Sequence, residues 1–481
     1  MMPKLVSYIT ESDFISNLLP AVVNSQKLRY PYTRPKFLYF SNEEISLSAD
    51  QSTRPVLCPK DPSKMLLYAG YAKVINAGKT VQNEDQASAK LLSLKQRGYD
   101  AEEAYDLANH RDVDRSVMDR AEATLSAIFD GHAGSGAAVM AANCLHILET
   151  VVYLNKKETF FGCAVQPSFS HNAQNALYPD CKTTSDSLIV GAIETAFVNI
   201  WCMNLELIGN KKNSCGGYAV AAHIAALFFL GKVCVANAGD CRALLVTSSE
   251  TQKLTQFNPE TERKRLQFLA YKNPDLISNS FTRYEYSRFL TRHDLRRKVF
   301  YRDWFMDEWA AKTVRESDLK MPLSNEHGEK AMLQIYFFFL QLRLLNTVGV
   351  SRGFGDYHLF TADNKIPVKP FLSPVPKVKV LDLHKLHSLY DKDLLVLASD
   401  GLWDALNNDD VAVIVKTALS NSDSADYLKY TMVAQKLAIA ARGNPVEPYR
   451  WQMSNGSCAS TDDITIFIIP LKYALASARD L

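Results

Sequence analysis

The stretch LSAIFDGHAG, residues 125–134, places an apolar run directly before an acidic turn that contains glycine. The run 125–129 is short, uninterrupted and followed by a turn signal, which is typical of a buried β-strand. Asp130 follows it without a spacer, so we expect its carboxylate at the tip of that strand. Taken alone, an Asp after a strand most often makes only a local turn with the backbone.

The same pairing of an apolar run with carboxylates recurs along the chain. The runs 233–238 and 394–398 are each followed within two residues by an acid, and the run 464–469 is preceded by two. If these strand ends converge, several negative charges meet, which is unfavourable unless a proton or a cation compensates them. Oxygen ligands with few nearby His or Cys favour Mg²⁺ or Mn²⁺ over zinc. The acids are Glu84, Asp85, Asp130, Asp240, Asp400, Asp404, Asp462 and Asp463.

Seven motifs, in order, resemble those of the metal-dependent Ser/Thr protein phosphatases of the PPM (type 2C) family. They run from about residue 68 to the C-terminus, so the resemblance covers most of the chain. Any one motif is a weak signal, whereas seven in the family's order are specific. The motifs are NED (83–85), DGHAG (130–134), CGG (215–217), NAGDCRA (237–243), VSRGFGD (350–356), SDGLWD (399–404) and DDIT (462–465).

The resemblance implies the fold. It is an α/β (α+β) sandwich of two central, mostly antiparallel β-sheets flanked by helices, with a large flap insertion at about residues 258–345. Residues 1–66 are expected to form an N-terminal extension, and residues 67–481 the phosphatase domain. The pattern of elements alone does not fix this topology.

The resemblance also implies a two-metal site with two Mg²⁺ or Mn²⁺ ions. Asp130 resembles the carboxylate that bridges both ions, with the Gly131 carbonyl on one of them, and Asp400 and Asp462 resemble the remaining ligands. Two ions that share a water lower its pKa, and the bridging hydroxide attacks the phosphorus of phosphoserine or phosphothreonine. The nucleophile is then water, so no catalytic Ser or Cys is needed.

Other roles leave alternatives open. Glu84 and Asp85 are expected to hold metal-bound waters or to ligate directly. Asp240 and Asp404 resemble the acids of a third, weaker metal position, and turn or helix N-terminal residues fit them equally well. His132 is expected to protonate the leaving Ser or Thr oxygen, the alternative being a hydrogen bonder that orients a carboxylate.

Two cations are candidates for binding the substrate phosphate. Many family members have an Arg before the first acidic motif, whereas the nearest cation here is Lys79, which binds phosphate as a point charge. A solvated turn residue is the alternative for Lys79. Arg352 is the second candidate, but a structural pairing with a nearby acid is favoured for it.

Three stretches resemble the H/J/M branch of the family: NPETERKRL (258–266), YRDWFMDEWAAKT (301–313) and IPVKPFLSPVP (366–376). The branch implies phosphorylated Rab-type small GTPases as substrates and, by analogy, a homodimer. The chain also departs from the family. Tyr218 stands where a small residue is usual, Cys241 replaces a common Ser, and the apolar run 332–345 occupies a place where relatives have a much shorter join.

These motifs favour an active enzyme over two other classes. A pseudophosphatase scaffold that binds phosphoproteins has no need of a costly acidic cluster. A metal-dependent nuclease or phosphodiesterase would lack the other motifs. The net charge of +2 argues against a general nucleic-acid surface. In the flap, basic residues alternate with aromatic ones, and we interpret this pattern as amphipathic helices with a solvated basic face.

The nine cysteines are scattered and show no zinc spacing, which indicates reduced thiols and a cytoplasmic or nuclear location. We expect no membrane span, because the run 332–345 is too short and too polar. The periodicity further predicts a core strand at 71–77 and a hairpin of 219–229 and 232–238, which residues 242–247 continue. It predicts helices at 137–154, 409–419 and 430–442, and a further helix with Ile189, Ile193, Phe197 and Ile200 on one face. Residues 87–120 are expected to form a poorly ordered insertion.

Overall fold

The structure is a computed structural model. It describes residues 35–95, 120–132, 134–145, 185–209, 220–255, 259–277, 280–323, 344–345, 347–356, 359–361, 365–386, 389–420, 422–423, 426–447 and 450–479. These residues form one compact unit. Leu38 and Arg54, from the region expected to be an extension, are fully buried in it.

The α-helices are α1 (Asn42–Leu47), α2 (Gly136–Cys144), α3 (Ser185–Gly209), α4 (Pro259–Lys272), α5 (Asp400–Trp403), α6 (Asn408–Ser420), α7 (Leu428–Arg442) and α8 (Leu471–Arg479). The strands are β1 (Gly70–Val74), β2 (Gln86–Lys95), β3 (Arg120–Gly131), β4 (Val220–Phe229), β5 (Lys232–Ala238), β6 (Arg242–Val246), β7 (Thr251–Lys253), β8 (Phe281–Thr282), β9 (Glu285–Tyr286), β10 (Lys298–Arg302), β11 (Ala310–Thr313), β12 (Met321–Pro322), β13 (Lys377–Asp382), β14 (Leu394–Ala398), β15 (Asn444–Glu447), β16 (Arg450–Gln452) and β17 (Ile464–Pro470). Short 3₁₀ turns lie at Lys36–Leu38, Pro62–Lys64, Leu66–Tyr68, Pro274–Ile277, Arg292–Asp294, Glu316–Asp318 and Leu383–Lys385.

Two antiparallel five-stranded sheets build the centre of the molecule. Sheet I has the order β1-β17-β14-β6-β7 and sheet II the order β13-β5-β4-β3-β2. Strand β14 shows why the sheets stack: Leu395 and Leu397 on one face join a buried cluster that sheet II shares, and Val396 on the other face joins a cluster with helices α6 and α7. Because successive side chains of a strand point to opposite faces, an all-apolar strand fits a position covered on both sides. The predicted sandwich is confirmed.

Several predicted elements are confirmed. Helix α3 buries Ile189, Ile193, Phe197 and Ile200 as expected. Helices α6 and α7 match the predicted spans, and α7 is followed by Gly443 as its C-cap, which has a positive φ of 68°. Helix α2 ends at Cys144, and the rest of the predicted span 137–154 lies outside the described residues.

The hairpin of β4 and β5 is also confirmed, with Leu230 and Gly231 both in the left-handed region at its turn. The prediction that residues 242–247 continue this hairpin is wrong. Strand β6 pairs with β14 and β7 in sheet I, so the chain crosses between the sheets at Gly239 and Asp240. An apolar strand pattern shows that a segment is buried but not which sheet it joins.

The prediction of a poorly ordered insertion at 87–120 is wrong for its first part. Residues 86–95 form β2, which pairs with β3 from Gln86 opposite Phe129 to Lys95 opposite Arg120. As the edge strand of sheet II, β2 tolerates charged and exposed residues such as Leu91, which is 51% exposed. Residues 96–119 lie outside the described residues, as do CGG (215–217), Tyr218 and residues 332–343.

Among its described residues, the flap contains one α-helix, α4, followed by the short strands β8 to β12, so the expectation of several amphipathic helices is wrong for this part of the chain. Many of its basic side chains pair with acids, whereas Arg292, Arg296, Arg297 and Lys298 are exposed. Leu344 and Leu345, at the end of the apolar run, are buried against Leu266 and Phe281. The ion pairs include Arg263–Glu285, Lys264–Asp307, Arg283–Asp303, Arg288–Asp294, Arg302–Glu260 and Lys312–Asp318.

None of the helices in the described residues combines the length and the apolar composition that crossing a membrane requires.

Candidate active site

Three strand ends from both sheets bring their carboxylates together. Asp130 ends β3 and Asp240 follows β5 in sheet II, while Asp400 follows β14 in sheet I. Carboxylate oxygens of these three residues all lie within 4.8 Å of one another. The Asp400 amide nitrogen also lies 3.4 Å from Asp130 Oδ2. The strand tips therefore converge between the ends of the two sheets.

Neighbouring acids raise the pKa of Asp130 and of Asp85. Burial and the charges of Asp400, Asp85, Asp240 and Asp462 hold the pKa of Asp130 well above its ordinary value. Burial and the charge of Asp463 raise the pKa of Asp85 to about 7. A group of carboxylates with raised pKa values needs either protons or a cation to be stable near neutral pH.

The donor set fits a hard divalent cation. Asp130, Asp240 and Asp400 offer carboxylate oxygens, which Mg²⁺ and Mn²⁺ prefer. The Oδ2 atom of Asp85 is buried and has no hydrogen-bond partner among the described residues. Burying such an acceptor without a partner is costly, so an oxygen left open in this way favours an additional ligand at the site.

Glycines let the acidic loops approach closely. A Cβ on Gly131 would lie 2.5 Å from the Glu84 carbonyl oxygen, and one on Gly401 would lie 2.0 Å from the Asp463 carbonyl oxygen. Any side chain at either position would push the loops apart. This is the physical reason that Asp130 and Asp400 are each followed by glycine.

The Asp463 carboxylate links the acidic loops by hydrogen bonds. Its Oδ1 accepts a hydrogen bond from the Asn76 amide at 2.7 Å, and its Oδ2 accepts one from the Glu84 amide at 2.8 Å. The carboxylate of the second Asp in DDIT is thus used for loop structure. No role separate from that of Asp462 was predicted for Asp463, although the doubled acid is visible in the sequence.

Two buried cations support the same region, and the sequence analysis missed both. The guanidinium of Arg54 donates to the carbonyl oxygens of Ile75 (2.6 Å), Ser460 (2.7 Å) and Asp462 (2.8 Å). The ammonium of Lys73 donates to the Asp85 carbonyl. Both side chains are fully buried. A lysine inside the apolar run GYAKVI was a signal for Lys73, whereas nothing local marked Arg54.

Asp462 and Lys79 form an ion pair at the edge of the cluster, with Nζ 2.5 Å from Oδ2. Burial lowers the pKa of Lys79, but Asp462, with the charges of Asp400 and Asp404, raises it above the ordinary value overall. Asp404 is exposed, and its amide donates to the Asp400 carbonyl at 2.8 Å. The structure therefore places one expected ligand beside one expected phosphate-binding cation.

His132 lies beside a carboxylate that the sequence analysis did not single out. Its Nε2 is 3.2 Å from Asp356 Oδ1. Burial lowers the pKa of His132, but the hydrogen bond and charge of Asp356, with the charges of Asp240 and Glu84, raise it above the ordinary value overall. The signal was present in the sequence, since Asp356 ends the motif VSRGFGD.

Arg352 lies in a buried ion-pair network instead of standing free. Its Nε and Nη2 donate to Glu262 Oε1, and its Nη1 donates to the Val375 carbonyl.

The Cys241 side chain is buried beside the acids, and burial, together with the neighbouring carboxylates, raises the pKa of its thiol well above the ordinary value. A thiol in this setting stays protonated.

The family model described as Protein phosphatase 2C matches residues 107–270 and 329–445, which is more than half of the chain. The chain belongs to the protein phosphatase 2C family. This membership confirms that it is a protein Ser/Thr phosphatase, a hydrolase whose substrates are phosphoproteins. The family is metal-dependent, which agrees with the carboxylate cluster.

Three relatives show how far the similarity extends. Human protein phosphatase 1H is 36% identical, and the alignment covers 92% of each chain. Mouse protein phosphatase 1J is 36% identical over 92% of this chain and 86% of its own, and mouse protein phosphatase 1M is 35% identical over 92% of each. Among solved structures, serine-threonine phosphatase 2C from Toxoplasma gondii aligns over 83% of this chain and 93% of its own, with 17% identity and a TM-score of 0.38.

Proposed function

We propose that this phosphatase hydrolyses phosphoserine and phosphothreonine in proteins at the cluster of Asp130, Asp240 and Asp400. The observation that carries the proposal is the convergence of these carboxylates, within 4.8 Å, from three strand ends in two sheets. Maintaining such a cluster costs stability, since each charge raises the pKa of its neighbours. Perturbed pKa values of this kind are concentrated at functional sites.

We assign the metal ligands from this geometry and from the family motifs. Asp130 with the Gly131 carbonyl, and Asp400, would hold two Mg²⁺ or Mn²⁺ ions; Asp240 lies close enough to be a further ligand. When bound, these ions lower the pKa of a water and neutralise negative charge on the phosphoryl group. The remaining proposed ligands or water-holding residues are Glu84, Asp85, Asp404 and Asp462.

The surrounding side chains would position the substrate and move its proton. Lys79 is half-exposed and sits at the rim beside Asp462, where its ammonium would meet the phosphate as a point charge. His132 would donate a proton to the departing Ser or Thr oxygen. Arg352 is engaged by Glu262 and Val375, so we propose a structural role for it instead of phosphate binding.

Phosphate release from a phosphothreonine peptide tests the proposal. Purified protein with Mn²⁺ is compared with the same protein in excess chelator and with Asp130→Asn. We expect both treatments to abolish release, while Asp409→Asn, in the first turn of α6, leaves it unchanged. Absence of release from folded, metal-loaded protein would instead support the alternative, a pseudophosphatase scaffold that binds phosphoproteins.

We further propose phosphorylated Rab-type small GTPases as substrates, on the basis of the stretches in and beside the flap that resemble the H/J/M branch. Comparing kcat/KM on phospho-Rab with that on a peptide of the same phosphosite tests this. A substrate recognised as a folded protein should be turned over at least tenfold more efficiently than its peptide, which corresponds to about 1.4 kcal/mol of extra transition-state binding. Equal efficiency would contradict recognition of the folded GTPase.

By analogy with the same branch we propose a homodimer, and from the cysteine usage a cytoplasmic or nuclear location. Light scattering on a gel-filtration peak gives the mass of the assembly directly, and a mass of one chain would contradict the dimer. Fractionation of cells that express the tagged protein checks the location. Recovery in a secreted fraction would overturn it.

A further inference from the structure

Asp356 is a buried carboxylate that faces the proposed proton donor. Its Oδ1 lies 3.2 Å from His132 Nε2. About 5% of the Asp356 side chain is exposed, compared with 39% of the His132 side chain. The imidazole is thus open to a substrate, while its partner is shielded from water.

The loop that carries Asp356 is held rigidly. Gly355 and Asp356 both have positive φ values, 67° and 52°. Glycine adopts this region freely, whereas for Asp356, which carries a Cβ, the surroundings must offset its cost. Lys369 Nζ donates to the carbonyl oxygens of Gly355 at 2.7 Å and Gly353 at 3.4 Å. Burial lowers the pKa of Lys369 to about 7, opposed by the charge of Asp356.

Packing of aromatic rings also fixes the loop that carries Asp356. The ring of Phe354 stacks on the imidazole of His223 at 3.7 Å, and Phe197 of α3 lies 5.4 Å from Phe354. All three side chains are fully buried. A carboxylate on such a support holds a fixed orientation, which is what a partner of a catalytic imidazole needs.

We propose that Asp356 is a positioning residue that orients the His132 imidazole for proton donation, and that Lys369 keeps Asp356 in place. The inference rests on the proposed function, in which His132 protonates the leaving oxygen. By accepting a hydrogen bond from Nε2–H, Asp356 fixes the tautomer and leaves Nδ1 as the nitrogen that gives up the proton.

This arrangement serves the hydrolysis of the phosphoester bond. The oxygen of a water that has first lost one proton to solvent forms a bond to phosphorus, and the bond from phosphorus to the Ser or Thr oxygen breaks. The bonding electrons stay on that oxygen, which takes the Nδ1 proton of the His132 imidazolium. The products are inorganic phosphate, a free hydroxyl and neutral imidazole that still carries its Nε2 proton toward Asp356.

Two substrates with different leaving groups test the proposal. Phosphothreonine peptide releases an alkoxide that needs a proton, whereas para-nitrophenyl phosphate releases a stable anion that does not. We expect Asp356→Asn to lower kcat on the peptide at least ~10-fold with KM little changed, and to affect para-nitrophenyl phosphate much less. Lys369→Met should show the same selectivity, and the exposed Glu447→Gln should show no effect on either substrate.

The variant His132→Ala distinguishes the positioning role of Asp356 from the proton-donor role of His132 on which it rests. It should lower kcat on the peptide by ~10²–10⁴-fold and affect para-nitrophenyl phosphate much less. Adding Asp356→Asn to it should then cost nothing more, because the positioned group is gone. If His132→Ala slows both substrates equally, the proton-donor role fails and the inference with it. If His132→Ala is selective and Asp356→Asn is not, only the inference fails.

A measurement on the unsubstituted chain covers the case in which the variants do not fold. Imidazole ¹⁵N shifts of the selectively labelled, metal-loaded protein report which nitrogen carries the proton. We expect neutral His132 to carry it on Nε2. A proton on Nδ1 would overturn the proposal.

Discussion

Glu262 of helix α4 and Arg352 of the VSRGFGD segment form a buried ion pair, with Arg352 Nε and Nη2 at 2.9 and 2.6 Å from Glu262 Oε1. The second carboxylate oxygen of Glu262, Oε2, accepts a hydrogen bond from Ser351 Oγ at 3.0 Å. Arg265 of the same helix donates to the Ser351 carbonyl. The flap is therefore fastened to the segment that ends at Asp356, beside His132.

Removing the charge of Glu262 should destabilise the protein strongly. The substitution Glu262→Gln leaves the buried Arg352 without its anion, which typically costs about 3–5 kcal/mol in free energy of unfolding. Urea unfolding followed by fluorescence measures this. Glu260→Gln is the matched control, because Glu260 lies on the same helix, pairs with Arg263 and Arg302, and is 48% exposed. It should cost less than about 1 kcal/mol.

The same pair makes stability depend on pH. Charges of Arg265 and Arg352 outweigh burial and lower the pKa of Glu262 from 4.5 to about 2. A carboxylate whose pKa is lower in the folded state stabilises the protein above its unfolded pKa, and this is lost as pH falls through the folded value. The stability difference between the unsubstituted chain and Glu262→Gln should therefore shrink from pH 5 to pH 2. A constant difference over that range would contradict the pairing.

Arg54 should matter for metal binding although it touches no proposed metal-binding carboxylate group. Substitution by Met removes three donors from the carbonyls of Ile75, Ser460 and Asp462, so the loop that presents Asp462 loses its support. We expect weaker Mn²⁺ binding by calorimetry and a loss of unfolding free energy of about 3 kcal/mol or more. Arg450→Met, at a guanidinium that is 71% exposed, is the control. Unchanged Mn²⁺ affinity in Arg54→Met would count against this support role.

Metal-free protein should lose stability as pH rises, contrary to the usual behaviour of acids. Burial raises the pKa of Asp85 from 3.8 to about 7 and that of Asp463 from 3.8 to about 6. The folded state then binds protons more tightly than the unfolded state, so stability falls between pH 3.8 and about 7 and stays low above.

Thermal unfolding in chelator at pH 5 and pH 8 checks this, with Mn²⁺ expected to raise the Tm more at pH 8. In chelator at pH 8, Asp85→Asn should unfold at a higher temperature than the unsubstituted chain. An equal or lower Tm for that variant would show that the charge of Asp85 is compensated without metal.

Short-range patterns predicted the parts of this molecule that short-range physics decides. An uninterrupted apolar run followed by an acid indicates a buried strand with a carboxylate at its end, and Asp130, Asp240 and Asp400 were found in this way. Helix α7 was recognised from its apolar spacing and its terminal Gly443. The resemblance to a family supplied the sandwich, which the runs alone did not define.

What could not be predicted depends on contacts distant in sequence. Arg54 lies about 400 residues from its acceptors Ser460 and Asp462, and no local pattern marks such a pairing. Strand β6 joins sheet I because it pairs with β14, and β14 lies far from β6 in sequence. The pairing of His132 with Asp356 likewise joins two motifs whose separation in space the sequence does not give.

Bound Mn²⁺ and phosphate release, measured on the same samples, decide whether hydrolysis takes place at the carboxylate cluster. Equilibrium dialysis gives ions per chain, and the dialysed protein is then assayed on a phosphothreonine peptide, for the unsubstituted chain and for Asp400→Asn. We expect two ions and rapid release for the unsubstituted chain, and fewer ions with release reduced by orders of magnitude for the variant. Full release from Asp400→Asn, or from protein that holds no Mn²⁺, would contradict hydrolysis at the carboxylate cluster.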